Sequence, residues 1–175
     1  MSNLRLINET NVSALTTSVS ITDVFSTDFD IYKITVDNPI QNASAGASSL
    51  HLRFINSSGS IISTDYDYAG LQLKDNASFT EFKSTSGTEV HIAFGQVDDN
   101  VSSNGAVGYV FNPFSSSSYT FYLGQSAGMV GTVNRNHKMI GVLHQTNSIT
   151  GINIFTSGDG ITEGKIRVFG LRVDS

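Results

Sequence analysis

The sequence predicts an all-β chain folded as a two-sheet antiparallel sandwich of jelly-roll or lectin-like type. Three observations carry the prediction. Apolar residues recur with period two almost throughout; turn-forming Gly, Asn, Asp and Ser separate the runs roughly every eight to twelve residues; no stretch has the period of an amphipathic helix. A parallel α/β fold would need crossover helices that this chain cannot supply. Its 175 residues suit one domain spanning 1–175, with no shift in composition to mark a linker.

The elements follow in order. Leu4 to Ile7 open the chain as a short strand. Tyr32, Ile34 and Val36 share a face, with Lys33 and Thr35 opposite. Leu50, Leu52 and Phe54 alternate with His51 and Arg53, and Asn56-Ser57-Ser58-Gly59 turns the chain back into Ile61-Ile62. Leu71 and Leu73 alternate with Gln72 and Lys74. Asn76 to Lys83 reads as one short helical turn or as a connection packed through Phe79 and Phe82. Val97 to Asn100 and Ser115 to Ser118 are loops. Tyr119, Phe121 and Leu123 share a face, with Tyr122 opposite; Ile140 and Val142, then Ile152 and Ile154, repeat the pattern. After a turn at Ser157 to Gly160, Lys165 to Val173 forms a long strand whose apolar residues fall on both faces around Gly170, which suggests a bulge or a crossing to a second packing surface. The count is roughly ten strands. Tyr32, Ile34, Val36, Leu50, Leu52, Phe54, Leu71, Phe121, Ile140, Val142 and Ile154 are expected to face the interior.

Composition narrows the function. Charged residues make up 14% of the chain and the net charge is −5, with basic residues scattered singly, so a phosphate backbone finds no basic stripe. The chain has no Cys, which removes thiolate chemistry and disulfide staples. No apolar run is long enough for a signal peptide or a membrane helix, so neither membrane insertion nor nucleic-acid binding is expected.

Several residues invite chemistry. Gly124-Gln125-Ser126-Ala127-Gly128 matches the G-x-S-x-G nucleophile elbow. That motif needs a helix after the serine and an acid before the histidine, whereas residues 129–133 look extended and no Asp or Glu lies between Ser126 and His144. His51, His91, His137 and His144 lack metal-ligand spacing, and His51 and His144 are expected to be half-exposed sheet residues. The pairs Asp28/Asp30, Asp65/Asp67 and Asp98/Asp99 sit in loops or at strand ends, where turn formation is the plain reading and calcium the alternative. Tyr66, Tyr68, Tyr119 and Tyr122 could stack on sugar rings; Tyr119 is expected in the core and Tyr122 at the surface.

Longer phrases add a resemblance. Residues 28–37 (DFDIYKITVD), 50–59 (LHLRFINSSG), 65–70 (DYDYAG), 110–122 (VFNPFSSSSYTFY), 142–155 (VLHQTNSITGINIF) and 164–175 (GKIRVFGLRVDS) resemble small virion structural proteins of tailed bacteriophages, especially marine cyanophages. The resemblance spans most of the chain and implies a jelly-roll or lectin-like sandwich carried in a phage particle, made in the host cytoplasm. It supplies no catalytic residue. The expectation is therefore a non-enzymatic capsid decoration or cement protein that bridges capsid subunits, with no cofactor unless calcium binds the acidic loops. A host-attachment module that binds surface carbohydrate is the alternative. Partners would be the major capsid or tail proteins and further copies of the chain, a trimer being slightly favoured, because few edge lysines or prolines protect its strands. Leu4, Leu6, Asn112, Pro113, Phe114 and Tyr122 are the candidate contact residues.

Overall fold

The computed structural model describes residues 3–41, 48–97, 104–130, 132–158 and 160–172, with backbone alone at 41, 94–97 and 130. Twelve strands follow one another: β1 (Leu4–Val12), β2 (Ser18–Ile21), β3 (Ile31–Gln41), β4 (Ser48–Asn56), β5 (Tyr66–Lys74), β6 (Phe79–Gly87), β7 (Val90–Val97), β8 (Gly105–Phe111), β9 (Thr120–Val130), β10 (Val133–Leu143), β11 (Ile149–Thr156) and β12 (Ile161–Leu171). No described residue is helical. The segment after Asn76 is a tight turn, with Ala77 at φ 63°, that leads straight into β6.

The strands form an eight-stranded sheet, β1-β12-β3-β8-β9-β10-β5-β6, and a four-stranded sheet, β2-β11-β4-β7. Every pairing is antiparallel. The two-sheet sandwich is as the period-two pattern predicts. The two sheets are unequal, with eight strands in one and four in the other.

Tyr32, Ile34, Val36, Leu50, Leu52, Phe54 and Ile154 are buried between the sheets, as expected from their alternation. On β5, β9 and β10 the expected face is the wrong one. Leu71, Phe121 and Ile140 are exposed at 36%, 46% and 56%, Val142 is only partly buried, and Tyr119 is exposed while Tyr122 is buried. The inward face of β9 instead carries Tyr122, Gly124 and Ser126, and that of β10 carries His137, Met139 and Gly141. The Tyr122 ring lies over Gly108 and Gly124, where a Cβ on either glycine would overlap it. One flat aromatic thus fills core volume that aliphatic side chains would otherwise occupy, and the aliphatic residues are left facing out.

Gly170 is likewise no bulge. It pairs in register with Tyr32 and Arg5, and its missing side chain admits the Phe29 ring. Register shifts fall instead in β1, between Leu6 and Asn8, and in the pairing of β12 with β3, on either side of Glu163.

Candidate functional site

Cross-strand register lines up the outer face of the large sheet. One row runs Leu4, Leu171, Ile31, Phe111, Phe121, Val142, and the next runs Leu6, Phe169, Lys33, Tyr109, Leu123, Ile140. Two further rows are polar: Arg167, Thr35, Val107, Gln125, Lys138 and then Lys165, Asp37, Gly105, Ala127, Asn136, Leu73. The outer face is thus apolar at one end of the strands and hydrogen-bonding at the other.

At the polar end lies a groove of about 670 Å³. Its floor is made by small residues of β8 and β9, Gly105, Val107 and Ala127, and its walls by Lys33, Thr35 and Asp37 of β3 on one side and Asn136, Lys138 and Leu73 on the other. Gln125 stands exposed within it. Asp37 is ion-paired to Arg167, which also binds Glu9 at 2.7 Å, so the lysines contribute the charge available to a ligand. Lys33 continues toward Tyr109 in the next row.

The candidate contact residues are scattered by the fold. Leu4 and Leu6 join the apolar outer rows, with Leu6 half exposed. Asn112 is exposed, but Pro113 is buried and Phe114 partly buried, in a loop tied by Asn112 N–H to the Asp30 carbonyl and by Ile149 N–H to the Pro113 carbonyl. Tyr122 is in the core, not at the surface. Of the other tyrosines, Tyr66 is fully buried with its hydroxyl bonded to the backbone at Phe54 and Ile62, and Tyr68 packs against His91. The acidic pairs serve local structure. Asp65 accepts hydrogen bonds from Thr64 and Gln145, and Asp67 holds the Ser86 N–H and pairs with His144. Asp98 and Asp99 lie outside the described residues.

Ser126 does meet a histidine. On the inner face Ser126, His137 and Gln72 are adjacent in register across β9, β10 and β5, all buried. Ser126 Oγ lies 3.1 Å from His137 Nδ1, and Gln72 Nε2 lies 2.7 Å from His137 Nε2. The Gln72 amide and the Ser126 hydroxyl thus hold the two ring nitrogens, and an amide takes the place a carboxylate would hold in a triad. The row is a polar seam inside the sandwich. Ser126→Ala is expected to cost about 0.5–1.5 kcal/mol by removing a buried hydrogen bond, read by urea unfolding, with no labelling of the parent chain by a fluorophosphonate probe.

His51, Glu89 and His91 form a second cluster. His51 on β4 pairs directly with His91 on β7, and Glu89 lies two residues before His91, so all three side chains converge. Their ligand atoms lie within 4.8 Å of one another, a set that could hold a metal ion. His51 is buried rather than half exposed, and burial drives the pKa of both imidazoles down to about 4.

The sequence matches no protein-family model and no curated protein. Solved structures with a similar fold include the enzymatically active domain of tailspike protein 2 from bacteriophage CBA120, at 10% identity and a TM-score of 0.36, covering 98% of this chain and 29% of that one. They also include the PL-14 alginate lyase from Aplysia kurodai, at 9% identity and a TM-score of 0.33, covering 86% and 72%. A third is the infectious bursal disease virus VP2 subviral particle, at 10% identity and a TM-score of 0.16, covering 98% and 41%. The chain spans less than a third of the tailspike domain it matches. At these scores the likeness goes no further than β architecture.

The expectation of a non-enzymatic capsid cement protein is nevertheless overturned. The chain carries a His/Glu/His cluster able to hold a metal ion, which a purely bridging protein does not require. The sequence reading missed the cluster because its histidines are 40 positions apart. Its one local trace was Glu89-Val90-His91, a carboxylate and an imidazole two residues apart at the start of β7.

Proposed function

We propose that this chain is a carbohydrate-recognition domain whose ligand lies in the groove on the outer face of the large sheet. The observation that supports this reading is the chemistry of that groove. Amide and ammonium groups from Gln125, Asn136, Lys33 and Lys138 surround a floor of small side chains, and the aromatic Tyr109 sits in the adjoining row. A pyranose ring offers the matching surface, with hydroxyls around its rim and C–H groups on its faces. The two lysines favour a polysaccharide bearing acidic groups. In this reading the domain attaches a phage particle to its host, and a homo-oligomer multiplies weak single contacts into avidity.

Titration of the purified chain with acidic and neutral polysaccharides tests the proposal. Gln125→Ala combined with Asn136→Ala is expected to weaken acidic polysaccharide binding about tenfold, with the fold unchanged, because each loses a hydrogen bond of about 0.5–1.5 kcal/mol. Binding that ignores both substitutions, or no saccharide binding at all, removes the groove from consideration.

A further inference from the structure

We infer that His51, Glu89 and His91 form a binding site for a divalent transition-metal ion, with a fourth coordination position left for solvent or ligand. The site is separate from the sheet groove and goes beyond carbohydrate recognition.

The strongest observation is His51 itself. The residue is only 6% exposed, yet among the described residues neither ring nitrogen has a hydrogen-bond partner. The nearest carboxylate oxygen, Glu89 Oε1, is 3.7 Å from Nδ1, beyond hydrogen-bond reach. An imidazole buried with both nitrogens unsatisfied is costly and calls for a missing partner. A metal ion supplies one.

The surroundings are built for such an ion. Phe155 stacks on the His51 ring at 5.1 Å, Tyr68 lies 4.8 Å from the His91 ring and Phe82 6.3 Å from it, so aromatic walls fix both imidazoles. Glu89 is divided between two tasks. Its Oε2 accepts from Arg53 at 3.0 Å and from the Thr88 hydroxyl, while Oε1 is turned toward His51. Arg53 is in turn held by a bond from Nε to the Thr88 carbonyl and by the Phe155 face at 4.3 Å. This outer layer orients the carboxylate and leaves one oxygen for coordination.

Burial keeps both imidazoles unprotonated at neutral pH, which is the form that ligates. Two imidazoles and a carboxylate suit zinc and its transition-metal neighbours, whereas calcium takes oxygen ligands only. Ligand atoms about 2.0–2.1 Å from one ion lie roughly 3.4 Å apart, and here His51 Nδ1 and Glu89 Oε1 are 3.7 Å apart, with all three ligand atoms within 4.8 Å of one another. Three protein ligands leave one tetrahedral position open.

The test uses the full chain stripped of metal by chelation and titrated with Zn²⁺ by calorimetry and with Co²⁺ by visible absorption. One equivalent should bind, produce cobalt d–d bands and raise the melting temperature. His91→Ala and Glu89→Gln should each weaken binding at least tenfold, while His144→Ala, outside the cluster, should not change it. His51→Ala is included with circular dichroism to confirm its fold; if it fails to fold, the other two variants decide. Absence of stoichiometric binding, or binding equal to the parent chain's in folded His91→Ala and Glu89→Gln, overturns the site. Polysaccharide binding measured with and without chelator is independent of that result.

Discussion

Gly124→Ala is expected to destabilise the chain by about 3 kcal/mol or more, although glycine is usually the weaker residue in a strand. The new methyl group would overlap the Tyr122 ring, and that ring is buried in the core. Gly108 lies under the same ring from the neighbouring strand, so Gly108→Ala should cost a similar amount. The two changes should not add, since the first displaces the ring that the second would strike. Tyr122→Ala alone should cost about 3–5 kcal/mol by opening a cavity. Within that background Gly124→Ala should become nearly neutral. Urea unfolding of the three single and two double variants reads all of this. A single Gly124→Ala within 0.5 kcal/mol of the parent chain would mean that the ring does not fill this space.

The same three residues show where the sequence was legible. Period two located the strands, because alternation requires only that one face be buried. For β3, β4 and β11 it also gave the correct face, since Tyr32, Ile34, Val36, Leu50, Leu52, Phe54 and Ile154 are buried. On β9 the apolar set Phe121 and Leu123 competes with Tyr122, Gly124 and Ser126, and counting hydrophobic residues selects the first set. The fold selects the second, because Tyr122 covers two glycines and so fills more core than its one position suggests. The phase of β10 and β5 follows from that of β9, to which they are joined in register. The Gly124 of the apparent nucleophile elbow is explained in the same way: it makes room for a ring.

The candidate sites were less legible for a topological reason. The groove takes walls and floor from β3, β8, β9, β10 and β5, and no local pattern reports that Asp37 and Asn136 come to lie on one face with Ala127 between them. The metal-ligating cluster depends on the pairing of His51 with His91, and a bulge in that pairing shifts its register next to Leu50. Spacing rules for metal sites assume ligands close in sequence, whereas β4 and β7 are separated by two strands of the other sheet.

Acid is expected to destabilise the metal-free chain well above the usual carboxylate range. His137 is buried in the polar seam, and desolvation, helped by the nearby charges of Arg135 and Lys74, lowers its pKa from 6.5 to about 4. His51 and His91 are lowered to about 4 as well, again chiefly by burial. As pH falls through 6.5 the unfolded chain gains a proton at each histidine, and the folded chain does not until about 4. The unfolded state is therefore favoured across that window. Stability is full above it and is lost toward pH 4, with a slope of at most about 1.4 kcal/mol per pH unit for each proton. The partly exposed His91 contributes less than the other two. Glu89, whose pKa is lowered by its hydrogen bonds to Thr88 and Arg53 against the opposing effect of burial, adds a further loss below 4.5. Urea midpoints between pH 8 and 4 in the presence of chelator measure the slope. His137→Gln should reduce it by about one proton while leaving the His51–His91 pair in place. A midpoint that stays level from pH 7 to 5 would show that these imidazoles titrate in the folded chain as they do in water, and so are hydrated rather than enclosed.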